Sequence, residues 1–268
     1  MPIIKTSDLS IYYETRGQGT PVLHINGTGG DLRAKPNVLD GPLPESMHTI
    51  AYDQRGLGQT DKPEGPYSMA QYADDAAQLL DVLGFDRVHV IGVSFGGMVA
   101  QHLALRHSSR VERLVLCCTS AGGNSASYPF HELPDDISPE ERARVMMGIS
   151  DLRCDDDWKS TNPGKAEAMI TYAREHAIAD HQTAEFRRGA KLQLLARADH
   201  DVTQRLGEIT MPTLLCAGKY DGIAPASNQE FLISHLPNAT VEWFEGGHMF
   251  IIQDKQAWPA IIDFLGQG

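Results

Sequence analysis

A chain of 268 residues, 41% hydrophobic and 22% charged, is long enough to bury one full α/β core with an insertion, and its composition excludes fibrous, low-complexity and membrane-spanning classes. Its formal net charge of −12 at pH 7 argues against nucleic acid and anionic membranes as partners, since both would be repelled at long range. Small neutral or apolar ligands fit better, and the composition is compatible with a homo-oligomer.

Residues 11–14 and 22–25 read as short strands separated by the turn Arg16-Gly17-Gln18-Gly19-Thr20-Pro21, which predicts an opening hairpin. A Gly-rich loop, Asn26-Gly27-Thr28-Gly29-Gly30, follows; it lacks a G-K-[ST] ending, which disfavours a phosphate cradle. Residues 49–52 form the next strand, stopped by a long polar loop. From Ser68 to Leu83, apolar residues recur at helical spacing and Gly84 closes the segment. A strand over residues 88–93, a helix over 95–106 and a strand over 111–118 come next. Strand alternating with helix through short joints predicts a mostly parallel sheet covered on both faces.

The alternation stops between residues 122 and 206, where the chain is charged and helical with Pro129, Pro134, Pro139 and Pro163 as breakers. This segment is predicted to be a helical cap inserted between two late strands, leaving residues 1–121 and 207–268 as the core. Its apolar residues Met146, Met147, Trp158, Met169, Ile170 and Tyr172 are expected to form the cap's own core, and Asp155-Asp156-Asp157 a solvated turn or helix start. Strand character returns at residues 213–217 and 240–244, with helices over 226–235 and 257–265. The four cysteines include the adjacent Cys117 and Cys118, which point to opposite faces of a strand, and no C-x-x-C spacing occurs; reduced, structural thiols and no metal site are expected. The opening residues Met1 to Thr6 show no signal-peptide pattern, so a cytoplasmic protein is expected.

Chemistry concentrates where strands end. Gly92-Val93-Ser94-Phe95-Gly96 has the G-x-S-x-G form that places a serine on a sharp strand-to-helix turn, with glycines where a Cβ would crowd neighbouring backbone. A serine hydroxyl needs a base, and the base needs an orienting carboxylate. Asp221 and His248 each follow a predicted strand, and all strand ends of a parallel sheet share one edge. Asp-Gly at 221–222 is also a common turn dipeptide, and His248 is one of 11 histidines; the order Ser, Asp, His, each after a strand, is what singles them out. His24, His102, His107, His176, His181 and His200 lack that placement. The backbone N–H groups of Phe95 and Thr28 are the candidate donors to an oxyanion.

The chain resembles the α/β-hydrolases. Beyond the Ser94 pentapeptide, the loop Asp53-Gln54-Arg55-Gly56-Leu57-Gly58-Gln59-Thr60-Asp61-Lys62-Pro63, the segment Gly218-Lys219-Tyr220-Asp221-Gly222 and Gly246-Gly247-His248 are similar to motifs of that superfamily. Thr60 replaces a usual serine, and Asn26-Gly27 stands where His-Gly is frequent. The resemblance implies nucleophile Ser94, acid Asp221, base His248, oxyanion donors Thr28 and Phe95, and no cofactor. A serine at the elbow is unlike the carboxylate nucleophile of haloalkane dehalogenases and epoxide hydrolases. The expected activity is cleavage of a small carboxylic ester or lactone through an acyl-enzyme, as in small carboxylesterases; Gly29-Gly30-Asp31-Leu32-Arg33 is also similar to 3-oxoadipate enol-lactonases, and meta-cleavage-product C–C hydrolases share the motifs. A small-ligand sensor on a hydrolase scaffold is the alternative of another class.

Overall fold

The structure, a computed structural model, describes residues 2–134, 137–175 and 183–267; His176 and His181 lie outside the described residues. Strands β1 (Ile3–Lys5), β2 (Ser10–Arg16), β3 (Pro21–Ile25), β4 (His48–Tyr52), β5 (Val88–Val93), β6 (Val111–Cys117), β7 (Thr213–Gly218) and β8 (Ala239–Phe244) form one sheet in the order β1-β2-β4-β3-β5-β6-β7-β8. Pairing is parallel from β4 through β8, while β2 runs antiparallel to β4. The expected opening hairpin is therefore wrong. β2 and β3 do not pair, because β4 lies between them, and the first hairpin is β1 with β2. The segment that displaces β3 carries the short helix α1 (Leu43–Ser46), which buries Leu43 and Pro44 before β4 begins. Strand β3, with four of five residues buried, needs parallel neighbours on both sides.

Helix α2 (Met69–Leu83) starts at Ser68, whose side chain caps Gln71 N while Gln71 returns the bond, and ends on Gly84 in the left-handed conformation at φ 78°. It packs with α3 (Phe95–Arg106) on one face of the sheet, where Leu79, Leu80, Val99 and Leu103 share a core with Leu23, Val90 and Leu114. Helix α8 (Ala226–His235) adds Leu232 to that layer. On the other face α10 (Ala257–Leu265), preceded by the short α9 (Phe250–Gln253), sets Ile261 and Leu265 against Val22, Ile91 and Val115. Each such side chain taken fully out of water contributes about 1.5–3 kcal/mol. No described helix is long and apolar enough to cross a membrane.

Between β6 and β7 lie α4 (Pro139–Ser150), α5 (Asp156–Thr161), α6 (Pro163–Glu175) and α7 (Ala184–Ala198). Asp155 is the N-cap of α5 and accepts from Trp158 N, so the acidic run is a helix start. Met147, Ala166 and Ile170, with Trp158 against them, make a small core of their own. Met169 departs from that expectation: it is exposed. Cys117 and Cys216 face each other across β6 and β7, and all four cysteines are free thiols.

Candidate active site

Strand β5 hands the chain to α3 through a single residue, Ser94, whose φ of 54° and ψ of −116° lie where side-chain-bearing residues rarely go. Such a conformation costs of order 1–3 kcal/mol and survives only where its surroundings over-determine it. Here Ser94 N donates to Cys117 O (2.8 Å) and the Thr119 hydroxyl donates to Ser94 O (2.8 Å). The flanking glycines are forced: a Cβ on Gly96 would overlap the Ile25 carbonyl oxygen, and one on Gly92 would sit 2.7 Å from Gly97 Cα. Small residues let the elbow press against the end of β3.

Asp221 lies three residues past β7 and His248 four past β8, and the structure brings both to Ser94. His248 Nδ1 lies 2.8 Å from Asp221 Oδ2, and His248 Nε2 lies 3.0 Å from Ser94 Oγ. Asp221 Oδ1 accepts from the Ile223 and Ala224 amides (2.8 and 2.9 Å), which fixes the carboxylate plane. The carboxylate is 1% exposed and the imidazole 11%, so the acid and the base sit nearly free of water. That geometry allows the hydroxyl proton to pass to Nε2 while Nδ1–H stays with the carboxylate.

Phe95 N–H is the first amide of α3 and has no partner within the helix. The loop after β3 comes close beside it: a Cβ on Gly27 would stand 3.4 Å from Ser94 Cβ, and the next residue, Thr28, is exposed. Three side chains hold this loop. Gln54 Nε2 donates to Asn26 O (2.8 Å), Asp53 Oδ1 accepts from Leu32 N (2.8 Å), and Gln193 Oε1 accepts from Gly29 N (2.9 Å). Burial raises Asp53 to about 6 although two backbone amides oppose the shift. Thr60 keeps the hydroxyl its position requires, donating to Asp53 O (2.6 Å) and accepting from Tyr12 N (2.9 Å).

The inserted segment also braces the acid and base loops. His248 N donates to Ser150 O (2.6 Å), Gly222 N to Ile149 O (3.0 Å) and Leu152 N to Tyr220 O (2.9 Å). No sequence pattern marks these bonds, because they are main-chain contacts between segments far apart in the chain.

Cys118 Sγ, an Asp221 oxygen and a His248 ring nitrogen fall within 4.8 Å of one another. Desolvation pushes the Cys118 thiol well above its ordinary range, which keeps it protonated and a poor metal ligand. The other two donors are already bonded to each other.

Residues 20–143 match the model of the alpha/beta hydrolase fold. A poly(3-hydroxyalkanoate) depolymerase of Ectopseudomonas oleovorans is 29% identical over 259 residues, covering 92% of this chain and 85% of that one. A putative carbamate hydrolase RutD of Caulobacter segnis is 30% identical over 257 residues, 91% of this chain and 90% of its own. The enol-lactonase from Burkholderia xenovorans LB400 superposes with a TM-score of 0.80 at 22% identity, covering 99% of this chain and 100% of that one. With its motifs, sheet order and a relative this similar across nearly its whole length, the chain belongs to the α/β-hydrolase family.

Proposed function

We propose that this protein is a serine hydrolase that cleaves a small carboxylic ester or lactone through an acyl-enzyme, without a cofactor. The observation that carries the reading is the unbroken line from Ser94 Oγ through His248 to Asp221, at 3.0 and 2.8 Å, on a strained elbow. Ser94 Oγ attacks the carbonyl carbon as His248 Nε2 takes its proton. The amides of Phe95 and Thr28 hold the resulting oxyanion, aided by the positive end of α3. His248 returns the proton to the leaving alkoxide, the carbonyl reforms, and an acyl-Ser94 remains. Water, deprotonated by the same imidazole, then releases the acid and regenerates the hydroxyl.

The relative named as a carbamate hydrolase favours one further substrate type, since a carbamate presents the same electrophilic carbonyl. The test is a panel of p-nitrophenyl esters, aliphatic lactones, carbamates and a vinylogous diketone, run on wild type and Ser94→Ala together. Ester or lactone turnover in the wild type should fall at least about 10³-fold in the variant, the oxyanion hole and binding leaving only a residual rate. Turnover that survives within twofold in Ser94→Ala would remove the proposal.

A further inference from the structure

Helix α7 touches loops that leave the carboxyl edge of the sheet, and its contacts follow strand order. At Gly189 its backbone rests on Gly56, in the loop after β4, where a Cβ on Gly56 would stand 3.1 Å from Gly189 Cα. One turn later Gln193 bonds the loop after β3 through Gly29 N. Just beyond the helix, His200 Nε2 lies 3.0 Å from Ser120 O, past the end of β6. In the sheet, β5 is the strand between β3 and β6, and Ser94 is the residue that follows it. The stretch of α7 between these last two contacts therefore passes the end of β5, and it carries Arg197.

Arg197 is 5% exposed, and no carboxylate pairs with it among the described residues. Its Nη2 donates to Ser127 Oγ (2.6 Å), its guanidinium lies 4.8 Å from the centroid of the Phe130 ring, and its Nε is buried with no acceptor. The segment beneath it is tied to the acid loop through Tyr128 N donating to Ile223 O (2.8 Å). Burial lowers Arg197 to about 10, which leaves it cationic at neutral pH. Gln193, four residues earlier on the same helical stripe, is fully buried, and its Nε2 also lacks an acceptor. A buried cation without a counter-ion is costly, and an apolar side chain would fill such a space more favourably if packing were its only purpose. Both orphaned donors call for the same thing, an anion supplied from outside.

We propose that Arg197, with Gln193 Nε2, binds a carboxylate carried by the substrate away from its scissile carbonyl, making the preferred substrate an anionic ester or lactone. This rests on the serine hydrolase reading and adds the substrate class to it. A planar monoanion matches one guanidinium and one amide, whereas a dianionic phosphate would leave a charge unmatched. Because the chain carries a net charge of −12, selectivity for an anion must come from such local contact and not from long-range attraction.

The experiment compares p-nitrophenyl monoesters of succinic, glutaric and adipic acid with their methyl-capped neutral analogues, on wild type, Arg197→Met and Arg197→Lys. For the best chain length, wild-type kcat/KM should favour the free acid at least about tenfold. Arg197→Met should lower kcat/KM for that acid about ten- to a hundredfold, chiefly through KM, and leave the neutral ester within about threefold, with Arg197→Lys between. A wild-type ratio of one or below at every chain length overturns the proposal whatever the variants do, and so does an Arg197→Met loss equal for both members of a pair. Neutral-ester turnover in Ser94→Ala reports separately on the serine hydrolase reading.

Discussion

At the scale of single residues, the site depends on which nitrogen of His248 bears the proton. Asp221 Oδ1 is committed to two backbone amides, so Oδ2 alone faces Nδ1 and holds its hydrogen, leaving Nε2 free to accept from Ser94. In Asp221→Asn the amide oxygen would keep the backbone donors and the NH2 would turn toward Nδ1. The imidazole would then carry its proton on Nε2, facing the serine it should deprotonate. The expected outcome is a fall in kcat of about 10⁴ with the melting temperature within a few degrees of wild type. Measuring both on one preparation checks this; activity within tenfold of wild type would show that the tautomer does not matter.

At the scale of elements, close backbone approaches set positions that side chains alone would not. A Cβ on Gly189 would overlap the Gly56 carbonyl oxygen, so Gly189→Ala must lift α7 from the loop after β4 and strain the bond from Gly29 to Gln193. The predicted result is at least about tenfold lower kcat/KM with little loss of core stability, since displacement by about 1 Å can cost a hundredfold; steady-state kinetics beside thermal unfolding measure it. These approaches also explain what was legible in the sequence. Ser94 with Gly92 and Gly96, Ser68 with Gly84, and the polar turns before Asp221 and His248 carry local signals, because each is a short-range demand on a strand end or helix end. The pairing of β3 has no such local signal, because insertion of β4 between β2 and β3 is a tertiary event that the turn at 16–21 does not record. Gln193, Arg197 and the main chain of residues 149–152 were silent for a related reason. Their roles depend on where the insertion folds back, and no local pattern records that.

At the scale of the whole molecule, a pair of imidazoles, His200 buried and His102 partly buried, joins α3 to the chain leaving α7. His102 Nε2 lies 3.1 Å from His200 Nδ1, and desolvation holds them at about 4 and about 3, with Arg106 and Arg205 further opposing charge on His102. From pH 6.5 down to about 4 for His102 and about 3 for His200, the unfolded chain binds protons that the native chain refuses. This stability is full above pH 6.5 and is lost as pH falls through that window. Asp53, raised to about 6 by burial, acts in the opposite sense, since its proton is favoured in the native state below that pH. Removing one imidazole isolates the first effect. His102→Gln should reduce the acid-side loss between pH 6.5 and 4 by roughly 2 kcal/mol in urea unfolding, and a slope identical to wild type would show that the pair is not linked to folding.

The central claim is that Ser94 is a nucleophile activated by His248, and covalent labelling reads it most directly. After exposure to a fluorophosphonate, intact mass and peptide mapping should show one adduct per chain, on the peptide carrying Ser94. The adduct should be absent in Ser94→Ala and form at least about a hundredfold more slowly in His248→Ala. A label elsewhere with Ser94 unmodified, or the same rate without the imidazole, would contradict the account.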